Sequence, residues 1–218
     1  MTSATHPALP DLIVRLADNK YLLGRRFSEW TNRAPALEAA VAAAAMTQDE
    51  LGHARSLYAA LHSLPDSPAA YLRDAPQKRD HLLGLPQMEK PFEHWVEFVA
   101  ACALFDRALT LVFEAARNSR YEPLRQRAAK ILQEERFHRQ YAEGWLKRLA
   151  ADTRTRGALQ AAVDELWHPT AGWLDATDAS ALVDAGILAE SAEALRARWS
   201  DETKSLLTEC GLVTTYDR

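Results

Sequence analysis

Glycine and proline, which most often interrupt helices, are scarce in this chain and cluster between long segments rich in alanine, leucine, glutamate, glutamine and arginine. Among 218 residues, 8 are glycine and 10 are proline. The pattern predicts an all-α protein with four long helices near 10–31, 35–63, 92–118 and 122–150. Shorter helical segments near 153–167, 178–186 and 189–209 should cap the same domain, which spans residues 1–218.

The lengths of the connections predict the order of the helices. The first two helices are joined by "TNRAP" and the last two by "NSRYEP", so each pair should form an antiparallel hairpin. The longer stretch 64–91, with "SLPDSP", "DAP" and "GLP", separates the hairpins. Two hairpins with one long crossover are typical of ferritin-like four-helix bundles. We therefore predict that fold, with the bundle over residues 10–150 and a C-terminal helical extension over 151–218.

Each long segment, followed at a spacing of three and four residues, has one stripe that should face the bundle interior. The stripes are mainly apolar, and the stripe on the fourth helix includes Trp145. At one level, however, every stripe carries ionisable residues. These residues lie at comparable distances from the hairpin turns, so they should meet in one layer, the polar layer: Lys20, Glu50, His53, Asp106, Glu135 and His138.

The polar layer needs a source of positive charge, because an unpaired buried ion costs several kcal/mol. The spacing Glu-x-x-His occurs at Glu50/His53 and at Glu135/His138, on the second helix of each hairpin, and Asp106 adds a carboxylate from a third helix. This set resembles the ligands of di-metal carboxylate sites in bundle cores. Carboxylate and imidazole ligands favour iron, as a dinuclear centre, or manganese.

The alternative is a polar layer without a metal. In that case Lys20 would pair with Asp106 or with a glutamate, and the histidines would be polar residues of the core. Lys20 distinguishes the two interpretations, and we treat it as the candidate catalytic residue of the layer.

An acidic residue, Asp49 or Glu134, precedes the glutamate of each pair. Metal-bound histidines usually donate their second N–H to a carboxylate. We therefore expect each acidic residue to support the histidine of the opposite pair, Asp49 with His138 and Glu134 with His53.

A third Glu-x-x-His spacing, Glu165/His168 in "ELWHP", is interpreted as accidental. It lies where Pro169 should end a helix, and no carboxylate partner is expected opposite it.

Composition excludes several classes of protein. The net charge of −4 argues against nucleic acid or an anionic membrane as the main partner. No apolar run approaches the roughly 18 residues of a membrane span, and "MTSATHPALP" does not resemble a signal peptide. Cys102 and Cys210 suggest no disulfide framework. We expect a cytoplasmic protein.

Three segments are similar to a known family: "LLGRRFSEWTNRAPALEAAVAAAAMTQDELGHARSLY", "ILQEERFHRQYAEGW" and "LQAAVDELWHPTAGWLDATD". They resemble the two ferritin-like subunits of the bacterial phenylacetyl-CoA ring-1,2-epoxidase, over about residues 12–212. "RAP", "QDE-x-GH" and "EE-x-FH" look like the catalytic subunit, whose di-iron site activates O₂. "SEW" and the C-terminal segment look like the structural subunit, which has lost its ligands.

Two positions depart from the catalytic pattern. The resemblance implies a glutamate ligand in the first helix, where this chain has Lys20, and a lysine where this chain has Met46. Asp18 does not easily replace the missing ligand, because it lies about 200° round the helix from residue 20. Three carboxylates and two histidines of the ligand set remain.

These observations leave two hypotheses. The first is a di-iron oxygenase or oxidase, such as a non-haem iron monooxygenase, that acts on an aromatic or acyl-CoA substrate and receives electrons from a reductase. The second is a non-catalytic ferritin-like subunit with a degenerate or metal-free site. By resemblance, the chain should form a homodimer or a hetero-oligomer with a related ferritin-like subunit.

Overall fold

The computed structural model describes residues 6–64, 76–176 and 179–214, and within these ranges it confirms an all-α, ferritin-like bundle. Each predicted long helix is present. The third predicted helix consists of three consecutive helical segments without a break, and we call it the composite helix. The elements are α1 (Ala8–Ser28), α2 (Leu37–Leu61), the composite helix made of α3 (Trp95–Ala100), a π-helical turn (Ala101–Asp106) and α4 (Arg107–Ala115), and α5 (Glu122–Ala151).

Short connections fold the chain into two antiparallel hairpins. Residues 29–36 join α1 to α2, and residues 116–121 join α4 to α5, which carries Pro123 in its first turn. The crossover between the hairpins contains two short 3₁₀ turns, Pro76–Lys78 and Pro86–Met88. Part of the predicted crossover, residues 65–75, lies outside the described residues.

The predicted inward stripes form the core of the bundle, with one exception. Ile13, Ala43 and Phe113 are fully buried on three different helices. On α5, Trp145 is only half-buried, and the neighbouring Leu146 is fully buried in its place. Trp145 packs edge-on against Trp95, with ring centroids 5.3 Å apart. The Trp145 ring therefore lies at the edge of the core, between α5 and the composite helix. A spacing of three and four residues placed it in the interior instead.

The C-terminal extension packs against the composite helix, most of whose residues are buried. The prediction that Pro169 ends a helix was wrong. The helix continues through this proline because the residues beyond it, including Trp173 and Leu174, are buried and stabilise the continuation despite one lost hydrogen bond. The elements are α6 (Thr153–Asp175), α7 (Ala179–Asp184) and α8 (Ala192–Glu209).

A group that we call the crossover clamp fixes the crossover to the first hairpin; it consists of Asp18, Asn19, Tyr58, Arg79 and the backbone of Leu83. The buried Asp18 accepts hydrogen bonds from the Tyr58 hydroxyl at 2.6 Å and from the Leu83 N–H at 2.7 Å, and it pairs with the Arg79 guanidinium. Asn19 donates to the Leu83 carbonyl at 3.2 Å. All these contacts lie on the face of α1 that points away from the bundle interior.

Among the residues described, no helix combines the length and the apolar character needed to cross a membrane.

Candidate metal site in the bundle core

The ammonium group of Lys20 lies at the centre of the polar layer. Its Nζ atom donates to Glu50 Oε1 at 2.9 Å, to Asp106 Oδ1 at 2.7 Å and to Glu135 Oε1 at 2.7 Å. The lysine and its three partners are buried, and each partner comes from a different helix. Nearby carboxylates raise the pKa of Lys20 well above its usual range, although burial acts in the opposite direction. Lys20 is therefore charged, and it connects the three carboxyl groups of the layer.

His138 supplies a second positive charge. Its Nδ1 atom lies 3.3 Å from Glu50 Oε1, 3.4 Å from Asp106 Oδ2 and 3.7 Å from Glu135 Oε2. Burial alone would lower the pKa of this histidine, but Glu135 and hydrogen bonds to surrounding carboxylates outweigh burial and raise the pKa far above its ordinary value. The imidazolium form is thus favoured at this position.

His53 behaves differently from His138. Burial, together with repulsion from Lys20 and His138, lowers its pKa to about 2, so the ring is neutral. Its Nε2 atom lies 2.6 Å from Glu134 Oε2 and donates to it, which leaves a lone pair on Nδ1. Neither His53 Nδ1 nor Glu50 Oε2 has a hydrogen-bond partner among the described residues. Two buried acceptor atoms in the layer therefore lack a donor.

The acidic residues outside the layer contact the histidines across the bundle. Glu134 lies against His53, as given above, and Asp49 Oδ2 lies 3.2 Å from His138 Nε2. Each carboxylate thus reaches the histidine of the opposite pair, which is the arrangement anticipated from the sequence. Both carboxylates are about one-third exposed, 36% for Asp49 and 33% for Glu134, so they connect the buried rings to solvent.

The pKa values of the three carboxyl groups in the layer shift in different directions. Burial raises the pKa of Glu50, and burial with the neighbouring Asp106 raises that of Glu135 to about 8. At Asp106, burial is outweighed by Lys20 and by His138, and its pKa falls well below the usual range. Protonation is therefore favoured at the two glutamates and disfavoured at Asp106, which lies next to the two cationic groups Lys20 and His138.

The fit of a metal ion depends on Lys20. Ligand atoms of Glu50, Asp106, Glu135 and His138 all lie within 4.8 Å of one another, and this buried set could hold one ion. The unpartnered oxygen of Glu50 would also suit a cation. However, each of the three carboxylates already gives an oxygen atom to the Lys20 ammonium. A dinuclear centre would have to displace this ammonium, so the residues present do not fit such a centre.

A cavity of about 440 Å³ leads from the surface to the polar layer. It lies between the π-helical turn, α5 and α8, and its inner end is lined by Cys102, Asp106, Thr110 and Glu135. Thr110 donates to Glu135 Oε2 at 3.1 Å. Small solutes can therefore approach two of the layer's carboxylates from one side of the bundle.

Two features of the site were not anticipated from the sequence. Asp106 lies at the end of a π-helical turn, which a spacing of three and four residues does not reveal. In the crossover clamp, Asp18 binds Arg79 and Leu83, which lie in an irregular segment without periodicity. By contrast, Glu165 and His168 are exposed on α6 and take no part in the layer.

Comparisons with known proteins identify relatives of this chain. Residues 1–216 match the family described as phenylacetic acid catabolic protein. One of the subunits of the 1,2-phenylacetyl-CoA epoxidase of Escherichia coli (strain K12) is 30% identical over 204 residues, which cover 91% of this chain and 81% of the relative. The resemblance inferred from the sequence segments is thereby confirmed.

Proposed function

Since the chain belongs to the phenylacetic acid catabolic protein family, we propose that it is a non-catalytic, ferritin-like subunit of a phenylacetyl-CoA-type epoxidase. In this proposal Lys20 takes the place of the dinuclear iron centre. The chain then contributes shape and stability to a complex, and a related ferritin-like subunit with a full ligand set carries out the oxidation.

One observation carries the proposal, namely the three short hydrogen bonds from Lys20 Nζ to the layer's carboxylates. A metal centre of this class uses such carboxylates as ligands, and an ammonium that already binds them competes for the same oxygens. Lys20 and the His138 imidazolium place two positive charges among the three carboxyl groups, so groups of the protein itself offset buried negative charge where a metal otherwise would.

A second candidate function is the di-iron oxygenase inferred from the sequence. The four-residue group of Glu50, Asp106, Glu135 and His138 favours it, since these side chains could hold iron or manganese if Lys20 moved away. A bound iron would supply O₂ activation, and the surrounding apolar core would exclude water. Asp49 and Glu134 would then orient the two histidines.

The partner in the complex is proposed from the relative, which is one subunit of an epoxidase. Large apolar side chains are exposed on α2 and α5 and support contact with another chain: Leu37 is 77% exposed, Val41 62% and Phe137 67%. In the proposed complex, the acyl-CoA substrate and any reductase act on the catalytic partner. A homodimer is the alternative assembly.

Iron content tests the proposal directly. After reconstitution with Fe²⁺ under reducing, anaerobic conditions, the purified chain should retain iron well below one equivalent. Lys20→Glu removes the competing ammonium and adds a carboxylate, so this variant should retain more iron than the wild type. Lys90→Glu, at an exposed position in the crossover, serves as the matched control and should bind no more iron than the wild type.

Tightly bound iron at one equivalent or more in the wild type, with consumption of O₂, would establish the oxygenase instead. If Lys20→Glu folds but retains no additional iron, Lys20 is not the group that excludes the metal. Elemental analysis and size-exclusion chromatography on the same samples separate these results from a loss of fold.

A further inference from the structure

The π-helical turn determines where Asp106 lies. All six of its residues, Ala101–Asp106, are buried, and Asp106 is the last of them. A π-helical turn adds one residue to a helix, which rotates the following side chains by about 100° relative to an uninterrupted α-helix. The insertion therefore sets the rotation of the helix after the turn relative to the helix before it, at the residue where Asp106 Oδ1 lies 2.7 Å from Lys20 Nζ.

Trp199 on α8 binds this turn from outside the bundle. Its indole N–H donates to the backbone carbonyl of Leu104, inside the turn, at 2.9 Å. Trp199 is fully buried and packs on Trp167, with ring centroids 4.6 Å apart. The Leu104 carbonyl also accepts from the backbone N–H of Arg107, so the indole is a second donor to the same oxygen. A side chain that inserts into the hydrogen-bond ladder of a helix in this way stabilises an irregular geometry.

Ion pairs hold α8 in this position. Arg107, the first residue after the turn, binds Glu202 at 2.6 Å and Glu114 at 2.8 Å. Glu114 also binds Arg198 at 2.6 Å, next to Trp199 in the sequence. The docking of α8 is therefore coupled to the turn by contacts on both sides of the indole.

We propose that Trp199 is a positioning residue that holds the π-helical turn and thereby keeps Asp106 against Lys20. The C-terminal extension then forms part of the polar layer's support and does more than cover the bundle. This inference concerns the layer on which the proposed function rests, but it holds whether or not a metal binds there.

The test replaces Trp199 by phenylalanine, which keeps an aromatic ring and removes the N–H donor. Trp173→Phe is the matched control: Trp173 is also buried and touches the turn through Phe105, with ring centroids 5.5 Å apart, but its N–H has no hydrogen-bond partner among the described residues. Both variants are made with Cys210→Ser, which leaves Cys102 of the turn as the single thiol.

Two measurements report on the turn and on the layer. In Trp199→Phe, methyl methanethiosulfonate should modify Cys102 about tenfold faster than in Trp173→Phe, because the turn opens more often. The ¹⁵N-labelled ammonium of Lys20 should also show a changed chemical shift and faster proton exchange. Neither measurement depends on iron. A negative result for Trp199 therefore does not affect the iron-binding test of the proposed function.

Equal thiol modification and an unchanged Lys20 signal in the two variants would overturn the proposal. If Trp199→Phe does not fold, the proposal is tested by measuring hydrogen exchange in the wild type. The Trp199 indole proton and the amide protons of residues 101–106 should then exchange at the same rate, as one cooperative unit. An indole proton that exchanges faster than those amides would show that the turn persists without it.

Discussion

Two polar clusters are built on the same stretch of α1, and they satisfy their hydrogen bonds in different ways. In the crossover clamp, Asp18 has a hydroxyl, a backbone N–H and a guanidinium as donors, so one carboxylate meets several partners. In the polar layer, one ammonium meets three carboxylates, and His53 Nδ1 is left without a donor among the described residues. The residues at the two centres, Asp18 and Lys20, are only two positions apart.

The two clusters differ in how their central charged groups are paired. A cluster that holds a segment in place gains most when its buried carboxylate has several donors, as Asp18 has in the clamp. Excess acceptors are unfavourable for stability and are typical of sites that bind a cation or once did so. We therefore expect the clamp to respond to mutation only through stability, and the layer to respond through stability and through metal binding.

The largest expected effect comes from removing the central cation. Lys20→Met leaves Glu50, Asp106 and Glu135 together without an ammonium, which should lower the free energy of unfolding by about 3–5 kcal/mol in metal-free buffer. Added Mn²⁺ should restore part of this loss, because the freed oxygens can bind a divalent ion. Urea unfolding monitored by circular dichroism measures both effects.

Lys90→Met, at an exposed position in the crossover, is the control for this change and should unfold like the wild type with or without Mn²⁺. An equally stable Lys20→Met variant in metal-free buffer would contradict the central role of the ammonium.

A smaller effect is expected in the clamp. Asp18→Asn keeps one acceptor oxygen but loses the charge that pairs with Arg79, which should lower the free energy of unfolding by about 2–3 kcal/mol. Because Lys20 is untouched, Mn²⁺ should not restore the loss. Asp80→Asn, exposed in the same crossover, is the matched control. Recovery of Asp18→Asn by Mn²⁺ would remove the distinction between the clusters.

The smallest effect concerns alkaline pH. Burial, and then the adjacent Asp18 carboxylate, raise the pKa of Tyr58 well above its ordinary range. In the unfolded chain Tyr58 loses its proton above about pH 10, whereas in the folded chain it keeps it, so its contribution to stability decreases as the pH rises. Above about pH 10, the unfolding free energy of Tyr58→Phe should decrease less steeply with pH than that of the wild type. The difference in slope should correspond to about one bound proton.

Unfolding titrations between neutral and alkaline pH measure this slope for the two proteins. Parallel curves above about pH 10 would mean that the Tyr58 hydroxyl titrates alike in the folded and unfolded chains.

The polar layer illustrates what a single sequence can predict. The hydrophobic stripes of long helices repeat regularly, so an ionisable residue on a stripe can be assigned to a level of the bundle from its position in the sequence alone. This placement brought together Glu50, Asp106 and Glu135, and the neighbouring Glu134 could be assigned to the opposite histidine. The same reasoning left open whether a metal or Lys20 would neutralise the layer.

Other features depend on geometry that periodicity does not encode. A π-helical turn changes the rotation of a helix without changing its composition, so the support of Asp106 by Trp199 could not be predicted. Two partners of Asp18, Arg79 and Leu83, lie in described parts of the crossover that have no regular secondary structure. Similarly, Pro169 marks a helix end by local rules, yet tertiary burial carries α6 past it.

The position of Lys20 also bears on how the chain folds. Its three hydrogen bonds connect residues 30, 86 and 115 positions apart, so none of them can form within one local segment. A partly assembled bundle would have to bury the ammonium with some carboxylates missing, or the carboxylates without it, and both are unfavourable. The layer therefore favours late, concerted docking of all four helices and disfavours compact intermediates that lack either hairpin.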